Sequence, residues 1–112
     1  MLPRDQRMTG SDEFSSTVRS GVRSAQPALV AHVVLGTNGG STRVGFVVSR
    51  AVGDAVTRNR VKRRLRHLMR DRLDAVPAGS RVVIRALPSA ADHESSDLGT
   101  QLDAALRRCG AR

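Results

Sequence analysis

Eight basic side chains fall within fifteen residues: Arg58, Arg60, Lys62, Arg63, Arg64, Arg66, Arg70 and Arg72, opposed only by Asp71. That window carries +7 of the formal net charge of +9 and leaves about +2 for the other ninety-seven residues. Guanidinium forks bind phosphate oxygens two at a time, and a concentrated stripe of them is the electrostatic footprint of a polyanion ligand. The first chemistry the sequence offers is recognition of a nucleic-acid backbone. Arginine supplies eighteen of nineteen cations, a bias that GC-rich coding produces by itself. The clustering is what needs a physical cause.

Hydrolytic chemistry by the protein alone needs a carboxylate cluster for metals or a His/Lys acid–base pair. The acidic residues Asp5, Asp12, Glu13, Asp54, Asp71, Asp74, Asp92, Glu94, Asp97 and Asp103 mostly fall at predicted caps, helix ends and loops. No predicted strand carries a pair of them. His67, within the basic window, has a proton-donor ring but no evident partner. Cys109 is the only cysteine, so neither an intrachain disulfide nor a cysteine metal site can form, and it reads as a small apolar residue on a terminal helix.

The elements that position the cations follow from periodicity. Asp54 predicts an N-cap, and residues 55–75 predict one helix ended by the Pro77-Ala78-Gly79 run. On a wheel, Val61, Leu65, Leu68, Met69 and Leu73 form a core-facing stripe, and Arg60, Arg63, Arg64, Arg66, His67 and Arg70 fill the opposite side. Arg66 lies at the border, Lys62 near the apolar edge, and Arg72 close enough to the stripe to snorkel. A solvated face mixes signs; here like charges meet at i,i+4, each pair costing a few tenths of a kcal/mol, which a bound polyanion removes. The first-turn N–H groups beside Arg58, Asn59 and Arg60 add an anion site. A membrane-lying helix would present Trp, Phe or long Leu runs instead.

Around that helix, Ser11 or Asp12 caps a short helix over 12–20 with Phe14 and Val18 on one face and Gly21 at its end. PALVAHVVLG (27–36) and TRVGFVVSR (42–50) read as strands joined by a hairpin turn at Thr37-Asn38-Gly39-Gly40-Ser41. In the second, Val44, Phe46 and Val48 share one face and Gly45, Val47 and Ser49 the other. SRVVIRAL (80–87) is a further strand, 88–97 a polar loop, and Leu98, Leu102, Ala105, Leu106 and Cys109 mark a final amphipathic helix stopped by Gly110. The order is α-β-β-α-β-α, with 22–27 available as one more strand. This is an α+β chain forming a small α/β sandwich with a sheet of about four strands, too short for helices to cover both faces fully.

With 112 residues, 39% hydrophobic and 26% charged, the chain predicts one folded domain over 1–112, loosely held over 1–10 and looped over 88–97. No apolar run reaches eighteen residues, and the start MLPRDQRM lacks a secretory hydrophobic segment, so a cytoplasmic location is expected.

VGDAVTRNRVKRRLRHLMR (52–70) resembles the signature of the bacterial ribonuclease P protein family, Gly-x-Ala-Val-x-Arg-Asn-Arg-hydrophobic-Lys-Arg on a long helix. Gly53, Ala55, Val56, Arg58, Asn59, Arg60, Val61, Lys62 and Arg63 match it. RVGFVVSR (43–50) and EFSSTVRSG (13–21) are also similar to the family, and the resemblance spans most of residues 7–109. It implies the protein subunit of an RNA-based endonuclease. The partner RNA subunit carries the catalytic Mg2+ and removes the 5′ leader from precursor tRNA, so no catalytic or metal-binding residue is expected in the protein, which is expected as a monomer apart from the RNA. It also implies an unusual left-handed strand–helix–strand crossover, against the general right-handed preference.

Carried onto this chain, the resemblance and the wheel together nominate Arg58, Asn59, Arg60, Lys62, Arg63, Arg64, Arg66, His67 and Arg70 for RNA contact. A leader-binding cleft would comprise Phe14, Val18, His32, Ser49, Arg50 and Arg85. Phe14 matches the first of two aromatics usual in that cleft, and Val18 stands where the second is usual. His32 stands where an aromatic is often found, Ala51 where a second basic residue is common, and Arg85 substitutes in a segment usually more basic. Two alternatives stay open: a ribosomal-protein-like structural RNA binder of similar fold, and an independent nuclease, which the missing carboxylate cluster argues against.

Overall fold

The chain runs α1 (Ser11–Ser20), β1 (Val22–Ala25), β2 (Leu29–Val34), β3 (Arg43–Val47), α2 (Ala55–Arg70), β4 (Arg81–Ala86) and α3 (Ser95–Arg108) in a computed structural model that describes residues 6–37 and 39–110. The strands form one sheet in the order β1-β2-β4-β3, antiparallel except for the neighbours β3 and β4, which are parallel and joined through α2. The α+β class and the four-stranded sheet agree with the expectation, and the 22–27 segment does supply the extra strand.

Register assigns the two faces of the sheet. Pairing Val44 with Val82, Phe46 with Ile84, and Ala31 with Ile84 places these residues on one side, where Val61, Leu65 and Met69 of α2 and Leu98, Leu102, Ala105 and Leu106 of α3 complete the core. All seven of those helical residues are at most 1% exposed. The apolar stripe on α2 is therefore the reason the helix lies where it does. The other face carries Arg43, Gly45 and Val47 on β3, Arg81, Val83 and Arg85 on β4, Val30, His32 and Val34 on β2, and Arg23 and Ala25 on β1. Among the described residues, α1 is the helix that crosses this side.

Several boundaries differ from expectation. The segment 37–41 does not close a hairpin, because β4 inserts between β2 and β3; the tight antiparallel pair is β1 with β2. Asn38 and Asp5 lie outside the described residues. The basic helix stops at Arg70 and not near residue 75. The N–H of Arg72 turns back to the carbonyl of Met69, and a 3-10 turn follows over Leu73–Ala75. The polar loop 88–97 contains a 3-10 turn, Pro88–Asp92, and gives its last residues to α3. Gly10, not Ser11 or Asp12, is the N-cap of α1.

Residues 1–10 are expected to be loosely held, yet Met8 is 5% exposed, its N–H donates to the carbonyl of Val44 at 2.8 Å, and Arg7 bridges to Val44. An apolar methionine at the open edge of β3 is enough to dock this part of the segment.

Candidate nucleic-acid interface

The start of α2 is set by two residues. Asp54 accepts a hydrogen bond from the Thr57 N–H at 2.8 Å, satisfying one of the free donors of the first turn. Gly53 precedes it at φ 156°, and a Cβ there would sit 2.8 Å from Thr57 Cγ2, so glycine is needed at this turn. The Thr57 N–H holds the Asp54 carboxyl below its ordinary pKa, with Arg58 and Arg60 adding attraction.

Along the solvent side of α2, Asn59, Arg60, Arg63, His67 and Arg70 are exposed, and Lys62 and Arg66 are half-buried on its flank. Asn59, Lys62, Arg63, Arg66 and His67 line one open groove. The nominated residues are not equivalent. Arg64 turns toward the 3-10 turn before α3 and donates to the carbonyl of His93 at 3.3 Å. Arg70 lies 3.9 Å from Asp71, with both side chains largely exposed. Arg58 is half-buried, and its Nε is buried without a hydrogen-bond partner. Arg72 donates to Asp103 at 2.7 Å and to the Leu68 carbonyl at 2.9 Å, which ties the end of α2 to α3.

A second concavity lies between α1 and the open face of the sheet. Phe14, Val18 and Arg85 line it as nominated, and Ser15, Arg19 and Val47 join them. Phe14 settles against the sheet because the residue beneath it is Gly45: a Cβ there would come within 2.4 Å of two ring carbons. Arg43 and Arg81, on the opposite flank of α1, hold the helix in place. Arg43 pairs with Glu13 at 3.0 Å, and Arg81 donates to Ser16 Oγ at 3.3 Å. Arg85 is exposed beside the cleft.

His32 is 4% exposed, and neither ring nitrogen has a hydrogen-bond partner. Burial, then the nearby Arg85 and Arg23, push its pKa below the ordinary value, so the ring is neutral. Ser49 and Arg50 are exposed beyond the end of β3 but do not line the cleft; Arg50 opens the 3-10 turn Arg50–Val52 that leads into α2. Arg19, Arg23 and Val47 were not nominated by the sequence. An alternation count places Val47 on the open face, and Arg19 follows Val18 on α1, but the nearness of Arg23 to His32 and Arg85 follows from pairings that cross β1, β2 and β4.

Among the described residues no three His, Cys, Asp or Glu side chains gather in a way that could hold a metal ion, and no helix is long and apolar enough to cross a membrane. Burial raises the pKa of the Cys109 thiol, which lies 2% exposed with its Sγ toward the Val22 carbonyl. The exposed cations along α2 offer charge-assisted contacts to a polyanion, and the concavity beside α1 sets an aromatic ring next to Arg19 and Arg85.

Comparison with known proteins bears on which polyanion. The family model for ribonuclease P matches residues 2–110. The chain is 50% identical over 116 residues to the ribonuclease P protein component of Streptomyces avermitilis, covering 96% of this chain and 94% of that protein. It is 55% identical over 114 residues to the ribonuclease P protein component of Mycobacterium sp. (strain KMS), covering 100% and 96%. The fold matches a solved Staphylococcus aureus RNase P protein with a TM-score of 0.81 at 22% identity, over 92% of this chain and 94% of that one. It matches the Thermotoga maritima RNase P protein with a TM-score of 0.77 at 23% identity, over 91% and 96%.

Proposed function

This chain belongs to the ribonuclease P protein family, and from that premise we propose that it is the protein subunit of a ribonuclease P that matures the 5′ end of tRNA. The observation that carries this reading is the cationic face of α2, eight basic side chains in a fifteen-residue window opposed within it only by Asp71, on a chain about half identical to named ribonuclease P components. The groove of Asn59, Lys62, Arg63, Arg66 and His67, with Arg58 and Arg60 at the helix start, holds the RNA subunit by charge-assisted contacts to phosphate. The cleft of Phe14, Val18 and Arg85 takes the single-stranded 5′ leader of precursor tRNA. Phe14 offers a stacking face and Arg85 a phosphate contact.

In this reading the active centre and its Mg2+ belong to the RNA subunit. Among the described residues no three His, Cys, Asp or Glu side chains gather to hold a metal ion, and this reading assigns the protein no chemical step. The protein acts by positioning: it holds the leader and screens the repulsion between two RNAs, so that the precursor binds more tightly than mature tRNA does. The setting is cytoplasmic. Family membership favours this processing role over that of a structural, ribosomal-protein-like RNA binder.

The test is to incubate precursor tRNA with the cognate RNA subunit at low Mg2+, with and without the protein, and with the protein alone. Cleavage at the mature 5′ end is expected to rise only when both subunits are present. No rise sinks the reading, and cleavage by protein alone would make it an independent nuclease.

A further inference from the structure

We propose that a concavity at the outer edge of β3, lying between the α1 cleft and the α2 groove and sharing Phe14 with the one and Lys62 and Arg66 with the other, binds one unpaired RNA nucleotide, with its base on an apolar floor and its phosphate among Arg7, Lys62 and Arg66. The inference rests on the RNA-binding role proposed above and adds a third subsite to it.

Three elements meet there. The docked segment at Arg7 and Met8 comes from one side, the Phe14 ring from a second, and the flank of α2 from the third. The floor is Met8, Val44 and Phe46, the last 9% exposed, with Gly45 beneath the Phe14 ring. Lys62 and Arg66 stand one helical turn apart on the same flank, and Arg7 reaches in from the edge of the sheet. Among the described residues, no acidic side chain lines the concavity. The nearest element carrying one is α1, where Glu13 is already engaged by Arg43. Among the described residues, Arg7, Lys62 and Arg66 form no ion pair.

Three cations around an aromatic and aliphatic floor make two complementary halves. The cations repel one another until an anion lies between them, and the recessed apolar surface offers a π-face and aliphatic groups to a flat ring. A simple anion would leave the floor unused. A duplex keeps its bases stacked inside and cannot present one to a recess, so the occupant is unpaired.

Continuity gives the position its use. Phe14 lines both this concavity and the α1 cleft, and Lys62 and Arg66 line both it and the α2 groove. A strand leaving the cleft thus meets this site before it reaches the basic helix. The leader of the precursor and an unpaired stretch of the RNA subunit share the required chemistry.

Reconstituted holoenzyme separates them. Arg7→Gln removes one cation from a half-exposed side chain while leaving the backbone bridge to Val44. It is expected to weaken the RNA that supplies the nucleotide about fivefold at about 0.1 M salt and to lower the salt slope by about 0.7, the weight of one phosphate contact on a single strand. Arg7→Lys should restore both. Thr9→Arg, which adds a cation at the rim, should tighten the same RNA, so the test does not hinge on one variant folding normally. A loss confined to precursor with a leader long enough to cross the cleft, and absent for mature tRNA, identifies the leader; a loss in binding the RNA subunit alone identifies the subunit. If Arg7→Gln changes neither affinity nor slope while Arg60→Gln still weakens the RNA subunit, the pocket is overturned and the proposed function stands. If Arg60→Gln has no effect either, both fall.

Discussion

Phe14 can serve as a stacking face only because Gly45 leaves room beneath it, so the cleft depends on a residue with no side chain. Gly45→Ala puts a methyl 2.4 Å from ring carbons and 3.1 Å from Met8 Cβ. Overpacking of this kind costs about 1–3 kcal/mol. The same change in a Phe14→Ala background should cost much less, and denaturant titration of the four variants measures the coupling; additive effects would mean that the ring does not rest on the glycine. His32 offers a pH readout at the same scale. Its folded pKa is depressed below 6.5, by burial first and then by Arg85 and Arg23. Below pH 6.5 the unfolded chain therefore takes up a proton that the folded state refuses, and stability falls with pH until the folded pKa is reached. Above that window the term vanishes. Unfolding free energies from neutral to mildly acid pH should show the native protein losing stability relative to His32→Phe, and parallel curves would remove the buried neutral imidazole from the account.

The α2 helix shows how a local pattern becomes a surface. Its apolar stripe was readable because helix period and core contact are the same information, and Val61, Leu65 and Met69 are indeed fully buried. Which arginines remain available was not readable. Arg64 and Arg72 find their acceptors, the His93 carbonyl and Asp103, on segments 29 and 31 residues away. Charge removal at Arg58, Arg60 and Arg63 should therefore flatten the salt dependence of RNA-subunit binding by about two to three units in log–log slope. The same removal at Arg72 should lower stability with little change in slope. Salt titrations of affinity compare the two, and equal slopes would sink the division of the helix into docking and bracing arginines. Asp54 gives the opposite sign. Asp54→Ser keeps an N-cap oxygen for the Thr57 N–H but removes a carboxylate beside Arg58 and Arg60, so the fold should hold while RNA affinity rises. Asp54→Ala should lower the melting temperature, because the cap itself is lost.

Across the whole molecule, strand order was the least legible feature. Turn chemistry over 37–41 is consistent with a hairpin, and nothing local announces that β4, arriving after a sixteen-residue helix, will insert between β2 and β3. The apolar run of β4 is the physical cause: Val82, Val83 and Ile84 are fully buried, Val83 on the opposite face from its neighbours, which favours a central position in the sheet. That insertion leaves β3 at the edge, where Arg7 and Met8 dock, and makes a site out of residues that sequence alone keeps nearly sixty positions apart. The insertion also leaves α2 on the surface with its cations facing outward, in a chain of net charge +9. Like-charge neighbours such as Arg60 and Arg64, Lys62 and Arg66, and Arg66 and Arg70 cost the free protein on the order of 1–2 kcal/mol in total at low ionic strength. Salt screens these pairs, with a Debye length of about 10 Å at 0.1 M. The melting temperature of the free protein should therefore rise as chloride is added from low ionic strength, and a variant with Arg60, Arg63 and Arg70 changed to Gln should start higher and respond less. Bound to the RNA subunit, the native protein should reverse the trend and lose stability with added salt, because salt then weakens a ligand that stabilises the folded state by mass action. Thermal melts with and without RNA decide it: the same sign of salt dependence in both states would mean that the cationic face is not where the RNA lies.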